Sequence, residues 1–207
     1  MLVKICGIKT LSAAKEAVTC GADFVGFIFA ESSRKIEPEL VGEFGTKLPN
    51  HVKKVGVFAN QTEQEVLRSA EVAGLDFIQL HGNESADFAR RMPLPVIKAF
   101  AIQSEKDLEN LREYPAEFLL VDLPKGSSGK GLTLDWGMIG KADLPLGKVI
   151  LAGGLTPENV GKAISAVSPI AVDVASGVET NGMKDPLKMK AFINEAKNIS
   201  RKRGMNR

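Results

Sequence analysis

The sequence predicts an α/β protein built as a single compact (β/α)8 TIM barrel with eight parallel strands. Three observations lead there. Short runs of uninterrupted apolar residues, the mark of strands buried on both faces, recur along the chain. A segment with helical spacing follows each run, and strand ends return at roughly 20 to 30 residues, the length of one strand-loop-helix-loop unit. The Gly-x-Gly-x-x-Gly fingerprint that an open doubly wound sheet carries after its first strand is absent. At 207 residues the chain is short for such a barrel, so its helices must be short. Residues 1–207 are read as one catalytic domain ending in a basic tail from about 201.

The first strand is Val3-Lys4-Ile5-Cys6, which turns at Gly7. Thr10 is a fitting N-cap, and Leu11, Ala14, Ala17 and Val18 share one helix face until Gly21 stops it. Phe24 to Phe29 is the second strand. A polar loop from Glu31 to Lys35 and a helix opening near Pro38 lead to the third strand, Val55 to Phe58. Thr62 caps the next helix, and Phe77 to His81 forms strand four. A helix near Glu84 to Arg91 precedes strand five, Val96 to Ala99. Ser104 caps another helix before strand six, Phe118 to Asp122. Beyond the glycine-rich segment Gly126 to Gly131, a short helix near Asp135 to Gly140 leads to strand seven, Val149 to Ala152. A helix from Pro157 reaches strand eight, Ile170 to Ala175, and a last helix runs from Pro186 towards Ser200.

Composition narrows the function. The chain is 44% hydrophobic with a net charge of +2, so neither a nucleic-acid partner nor a membrane is expected. No apolar run approaches the roughly 18 residues of a membrane span, and nothing resembles a signal peptide. A cytoplasmic location follows, and Cys6 and Cys20 are then free thiols. A monomer is favoured over a homodimer.

In this barrel the strand C-termini and the loops after them line the active-site face. That rule selects Cys6, Arg34, His81, Asp122, Gly153 with Gly154, and Asp173 with Ser176 and Gly177. Gly153 and Gly154 end strand seven just before a helix start, and Ser176 and Gly177 follow strand eight. Both places bring backbone N–H groups to an anion, so they are assigned to phosphate, although tight turns alone would also call for glycine. Cys6 taken alone would be a small buried hydrophobe. Its place on the reactive face, with Lys4 one inward position below to favour the thiolate, makes it a candidate catalytic group with a lowered pKa. Asp173 is assigned to substrate binding, although Lys4 can equally pair with it as a purely structural ion pair. Asp122, just past an apolar run, suits a general acid with a raised pKa. Arg34 is read either as surface charge, the usual fate of a loop arginine, or as a bidentate grip on a carboxylate. His81 is read as a substrate contact or a loop hydrogen-bonder. For Lys98 an interior ion pair is preferred to a Schiff base. Segment 126–131 is a candidate for folding over a ligand.

The stretches Lys4-Ile5-Cys6-Gly7-Ile8, Ser33-Arg34, Gln79-Leu80-His81-Gly82, Leu120-Val121-Asp122, Leu151-Ala152-Gly153-Gly154-Leu155 and Asp173-Val174-Ala175-Ser176-Gly177-Val178-Glu179 together resemble the phosphoribosylanthranilate isomerases of tryptophan biosynthesis. The resemblance runs nearly end to end. It departs at Ser128-Gly129-Lys130-Gly131, where a Gly-Gly-Thr-Gly type loop is usual, and at Ala175, where a second serine is common. It implies a cofactor-free, metal-free Amadori rearrangement of a phosphorylated small molecule, N-(5-phosphoribosyl)anthranilate. Cys6 would be the base, Asp122 the acid, and Arg34 the ligand of the anthranilate carboxylate. Two other readings stay open: a metal-dependent sugar-phosphate epimerase, for which His51 and His81 are few ligands, and a phosphate-binding barrel without catalysis.

Overall fold

The computed structural model describes residues 1–109, 111–124 and 132–204. Eight parallel strands, β1 (Leu2–Cys6), β2 (Phe24–Ile28), β3 (Lys53–Phe58), β4 (Phe77–Leu80), β5 (Val96–Ala101), β6 (Phe118–Asp122), β7 (Val149–Leu151) and β8 (Ala171–Val174), pair in sequence order. The barrel closes where β1 pairs with β8, Lys4 opposite Asp173.

The helices are α1 (Leu11–Cys20), α2 (Pro38–Gly45), α3 (Glu63–Ala73), α4 (Ala86–Arg90), α5 (Trp136–Lys141), α6 (Val160–Val167) and α7 (Pro186–Gly204). Local chemistry sets their ends. Thr10 accepts from the Ala13 N–H, and Gly21 closes α1 at φ 98°. Thr62 and Glu65 cap α3 reciprocally, satisfying two backbone donors that a helix start would otherwise leave open.

Three elements differ from the sequence expectation. After β5 there is a single 3₁₀ turn, Glu105–Leu108, in place of an α-helix. There the Asp107 carboxylate accepts from the N–H groups of Gln103 and Ser104, a local bond that competes with helix propagation. The helix expected from Pro157 begins at Val160. The last helix continues to Gly204, taking in backbone that the sequence suggested would be a tail from about 201. One addition was not foreseen: a small antiparallel hairpin, β9 (Glu179–Thr180) with β10 (Met183–Lys184), between β8 and α7.

Side chains alternate between lumen and outer wall along each strand. The lumen floor is apolar. Phe24, Phe77 and Phe118 meet there with ring centroids 5.7 to 6.2 Å apart, beneath Ile97, Leu120 and Ile150. Val25, Phe27, Ile78, Leu119 and Val172 point the other way and pack under the helices. Three aromatic rings seal one end, so polar lumen residues can only gather at the other, where the strands finish.

Candidate active site

The inward positions at that end carry Lys4 and Cys6 from β1, Gln79 and His81 from β4 and the residue after it, Asp122 from β6 and Asp173 from β8. Lys4 is fully buried, and its Nζ lies 2.9 Å from Asp173 Oδ1, the pairing that the sequence had set beside a substrate role for Asp173. Burial works against the ammonium, but the Asp173 carboxylate, with help from Cys6, outweighs it and leaves Lys4 charged.

Replacing Lys4 by methionine would strand the Asp173 carboxylate in the wall. A loss of about 3–5 kcal/mol is expected, read as a lower denaturant midpoint at unchanged slope.

Cys6 is 5% exposed, and the space beside it is made by Gly26 on β2. A Cβ at Gly26 would sit 2.8 Å from Sγ and 3.1 Å from Lys4 Nζ, so only glycine lets thiol and ammonium share that spot. The thiol does not respond as the sequence suggested. Burial raises its pKa, Lys4 pulls it back, and Asp173 adds to the rise, for a net upward shift. The expected lowering is therefore corrected. The cation is present, but its charge is shared with Asp173, and the depth of burial of Cys6 disfavours the thiolate more than Lys4 favours it.

Asp122 behaves as expected. Burial lifts its carboxyl to about 6, against a hydrogen bond from the Leu123 N–H. Its Oδ2 stands 3.6 Å from His81 Nε2. Burial and the Lys4 charge hold the imidazole below its ordinary pKa, so at neutral pH His81 meets Asp122 as a neutral ring. Gln79 had not been singled out. It is 1% exposed, its Nε2 lies 3.0 Å from His81 Nδ1, and its Oε1 has no partner among the described residues. Its parity with His81 in an otherwise apolar strand was the available signal.

Lys98 alternates onto the outer wall, where Nζ pairs with Glu84 at 2.8 Å and reaches the Gly82 carbonyl. That is the ion pair preferred from sequence, and it pins the loop after His81.

Arg34 comes from the loop after β2. Its Nε and Nη2 donate to both oxygens of Glu179, at 2.8 and 2.7 Å. The bidentate carboxylate grip foreseen for Arg34 is thus occupied within the protein on one edge of the guanidinium.

Gly153 and Gly154 both adopt left-handed φ, 81° and 68°. Asn159, also not foreseen, ties this turn by accepting from the Thr156 N–H and donating to the Gly154 carbonyl. The loops after β6, β7 and β8 stack closely: the Leu132 carbonyl lies 1.9 Å from where a Gly154 Cβ would stand, and the Leu155 carbonyl 1.9 Å from a Gly177 Cβ. Close packing is therefore one reason for these glycines. Among the described residues, the N–H groups of Gly153 and Gly154 donate to no protein acceptor. Ser176 and Gly177 open a 3₁₀ turn beside them. Segment 126–131 lies outside the described residues. Among those described, no three His, Cys, Asp or Glu side chains converge as a metal site, and no helix is long and apolar enough to cross a membrane.

A thiol and a raised carboxyl at the strand C-termini of a parallel barrel, next to backbone donors that no described residue engages, define the (β/α)8 class of enzymes that work at the barrel mouth. Comparison with known proteins makes this particular. The chain belongs to the N-(5'-phosphoribosyl)anthranilate isomerase family, whose model matches residues 3–195. It is 45% identical over 201 residues to the Listeria monocytogenes serotype 4a enzyme, covering 96% of this chain and 100% of that one. It is 46% identical over 204 residues to the Bacillus mycoides enzyme, covering 97% and 100%. The crystal structure of the Thermotoga maritima isomerase superposes with a TM-score of 0.85 at 42% identity, covering 96% of this chain and all of that one.

Proposed function

We propose that this member of the isomerase family opens and isomerises N-(5-phosphoribosyl)anthranilate using Cys6 as base and Asp122 as acid. The supporting observation is their placement. Both are inward residues ending their strands, Cys6 on β1 and Asp122 on β6, above the same apolar floor. Protonated Asp122 gives its proton to the furanose ring oxygen, the C1–O bond breaks, and the nitrogen lone pair forms the C1–N double bond of a Schiff base. The Cys6 thiolate then takes the C2 proton. The electrons of that bond become the C1–C2 double bond of an enolamine, which relaxes to the 1-deoxyribulose ketone. An isomerase structure 40% identical to this chain is described in complex with reduced 1-(o-carboxyphenylamino)-1-deoxyribulose 5-phosphate, a ligand with a carboxylate at one end and a phosphate at the other.

In this reading the N–H groups of Gly153 and Gly154, which donate to no described residue, hold the phosphate with Ser176 and Gly177. Arg34 holds the carboxylate through the guanidinium edge that Glu179 leaves open. His81 contacts the sugar and Asp122, and Asp173 keeps Lys4 beside the thiol. A raised thiol pKa makes the thiolate scarcer but also a stronger base, and the acid–base pair works in the minority form that has both protons correctly placed.

The test is loss of substrate fluorescence on adding the protein. Turnover that a chelator leaves untouched is expected. No turnover, with phosphate still bound, would make this a binding barrel, and inhibition by chelator would favour a metal-dependent epimerase. The protein is read as a monomer; one solved Thermotoga maritima relative is described as monomers generated from a dimeric isomerase.

A further inference from the structure

The hairpin β9–β10 is no part of the barrel pattern, yet it delivers two charged side chains to the mouth. Asn181 and Gly182 turn it with φ of 52° and 75°, the backbone of a two-residue hairpin loop. That register sets Lys184 directly opposite Glu179. Lys184 Nζ donates to Glu179 Oε1 at 2.7 Å and to the Ala175 carbonyl at 2.8 Å, and the two side chains are 3% and 7% exposed. The carboxylate is thereby fixed in place. It takes Nε and Nη2 of Arg34. On its other side the stem of Arg34 lies across Gly7, where a Cβ would stand 2.5 Å from Arg34 Cδ. The Arg34 guanidinium is thus held between the residue after Cys6 and a hairpin after β8. Among the described residues its Nη1 makes no hydrogen bond.

We propose that Glu179 is a positioning residue for substrate recognition: it orients Arg34 so that the Nη1–Nη2 edge faces the substrate carboxylate. The proposal rests on the reading of Arg34 as the carboxylate ligand. Two physical points favour it. An arginine held in one rotamer before binding loses less freedom on binding. With Lys184 included, Arg34, Glu179 and Lys184 carry a net positive charge, so the preset guanidinium still attracts an anion; an isolated Arg–Glu pair would be neutral.

The test is steady-state kinetics of Glu179→Asp, which keeps the charge but draws the carboxylate back by one methylene, and of Glu179→Gln, which leaves the cluster more positive. Each is run with phosphoribosylanthranilate and with the phosphoribosyl derivative of aniline, which lacks the carboxylate, following product by chromatography. Both variants are expected to raise KM for the anthranilate substrate about 3- to 10-fold, to leave kcat within about twofold, and to treat the aniline substrate as the parent does. In an Arg34→Ala background neither should add a further penalty. An unchanged or lower KM, an equal penalty on both substrates, or additivity with Arg34→Ala overturns the positioning role. If Arg34→Ala itself spares KM for the anthranilate substrate, the underlying assignment of Arg34 fails instead. Circular dichroism of each variant at the assay temperature confirms that folded protein is being compared.

Discussion

Replacing Cys6 by serine is expected to lower kcat by about 10²- to 10⁴-fold while leaving the folded state in place. Serine is close in size, and the pocket is shaped from outside by Gly26, where a Cβ would meet Sγ at 2.8 Å, so the change removes a base and not a packing element. An aliphatic hydroxyl loses its proton far less readily than a thiol, and the burial that already raises the thiol would hold it neutral as well, so the ionised base would hardly be populated. Cys6→Ala should lose at least as much. Single-turnover decay of substrate fluorescence at saturating protein separates the chemical step from binding and checks this. If serine or alanine works at the parental rate, another group removes the C2 proton.

Asp122→Asn is expected to cost a similar factor in kcat and, in addition, to stabilise the protein at neutral pH. The sign follows from protons. With Asp122 lifted from 3.8 to about 6, the folded state binds more protons than the unfolded chain between those values, so stability falls as pH rises through that window. Above it the penalty is fully present, up to about 3 kcal/mol for a shift of this size. Asparagine keeps the acceptor for the Leu123 N–H but never ionises. The variant should gain up to that amount at pH 7 and little near pH 3. Denaturant unfolding at the two pH values reads the difference.

The same shift fixes the pH profile. In the free protein the acid titrates near 6 and the base higher, the reverse of the simple order. Below about 6, protonation of the thiolate lowers kcat/KM tenfold per unit. Between the two values, gain of thiolate cancels loss of protonated Asp122. The break near 6 therefore reports Asp122, acid though it is; in Asp122→Asn that break should vanish, and the residual kcat/KM should go on rising with pH up to the titration of the thiol itself.

Much of this was legible in the residues. Apolar runs and capping residues placed all eight strands, because double burial and cap chemistry are local properties. Cys6, Asp122, Gly153 and Gly154 could be picked out because strand ends define the mouth once a parallel barrel is inferred. Features that depend on neighbours across the barrel were not readable. Gly26 looks like any strand glycine until β1 lies beside it, and Asn159 like any helix start until the Gly153–Gly154 turn folds back on it. Glu179 was quoted in a motif without a role, since its partner Arg34 is 145 residues away. The hairpin carrying Glu179 leaves a sign in Asn181-Gly182, but its flanking strands have only two residues each, too few for an alternating pattern to show. The direction of the thiol shift was hidden for a related reason: Lys4 is visible in the sequence, but the depth at which Cys6 itself is buried is not.

The account turns on which residue serves which step, and substrate deuterated at C2 tests that directly. If Cys6 removes the C2 proton, weakening the base makes that cleavage limiting, so the isotope effect on kcat should rise well above unity in Cys6→Ser. In Asp122→Asn, ring opening becomes limiting, and the effect should fall to near unity. The opposite pattern, with the isotope effect expressed in Asp122→Asn and suppressed in Cys6→Ser, would contradict the assignment of base and acid.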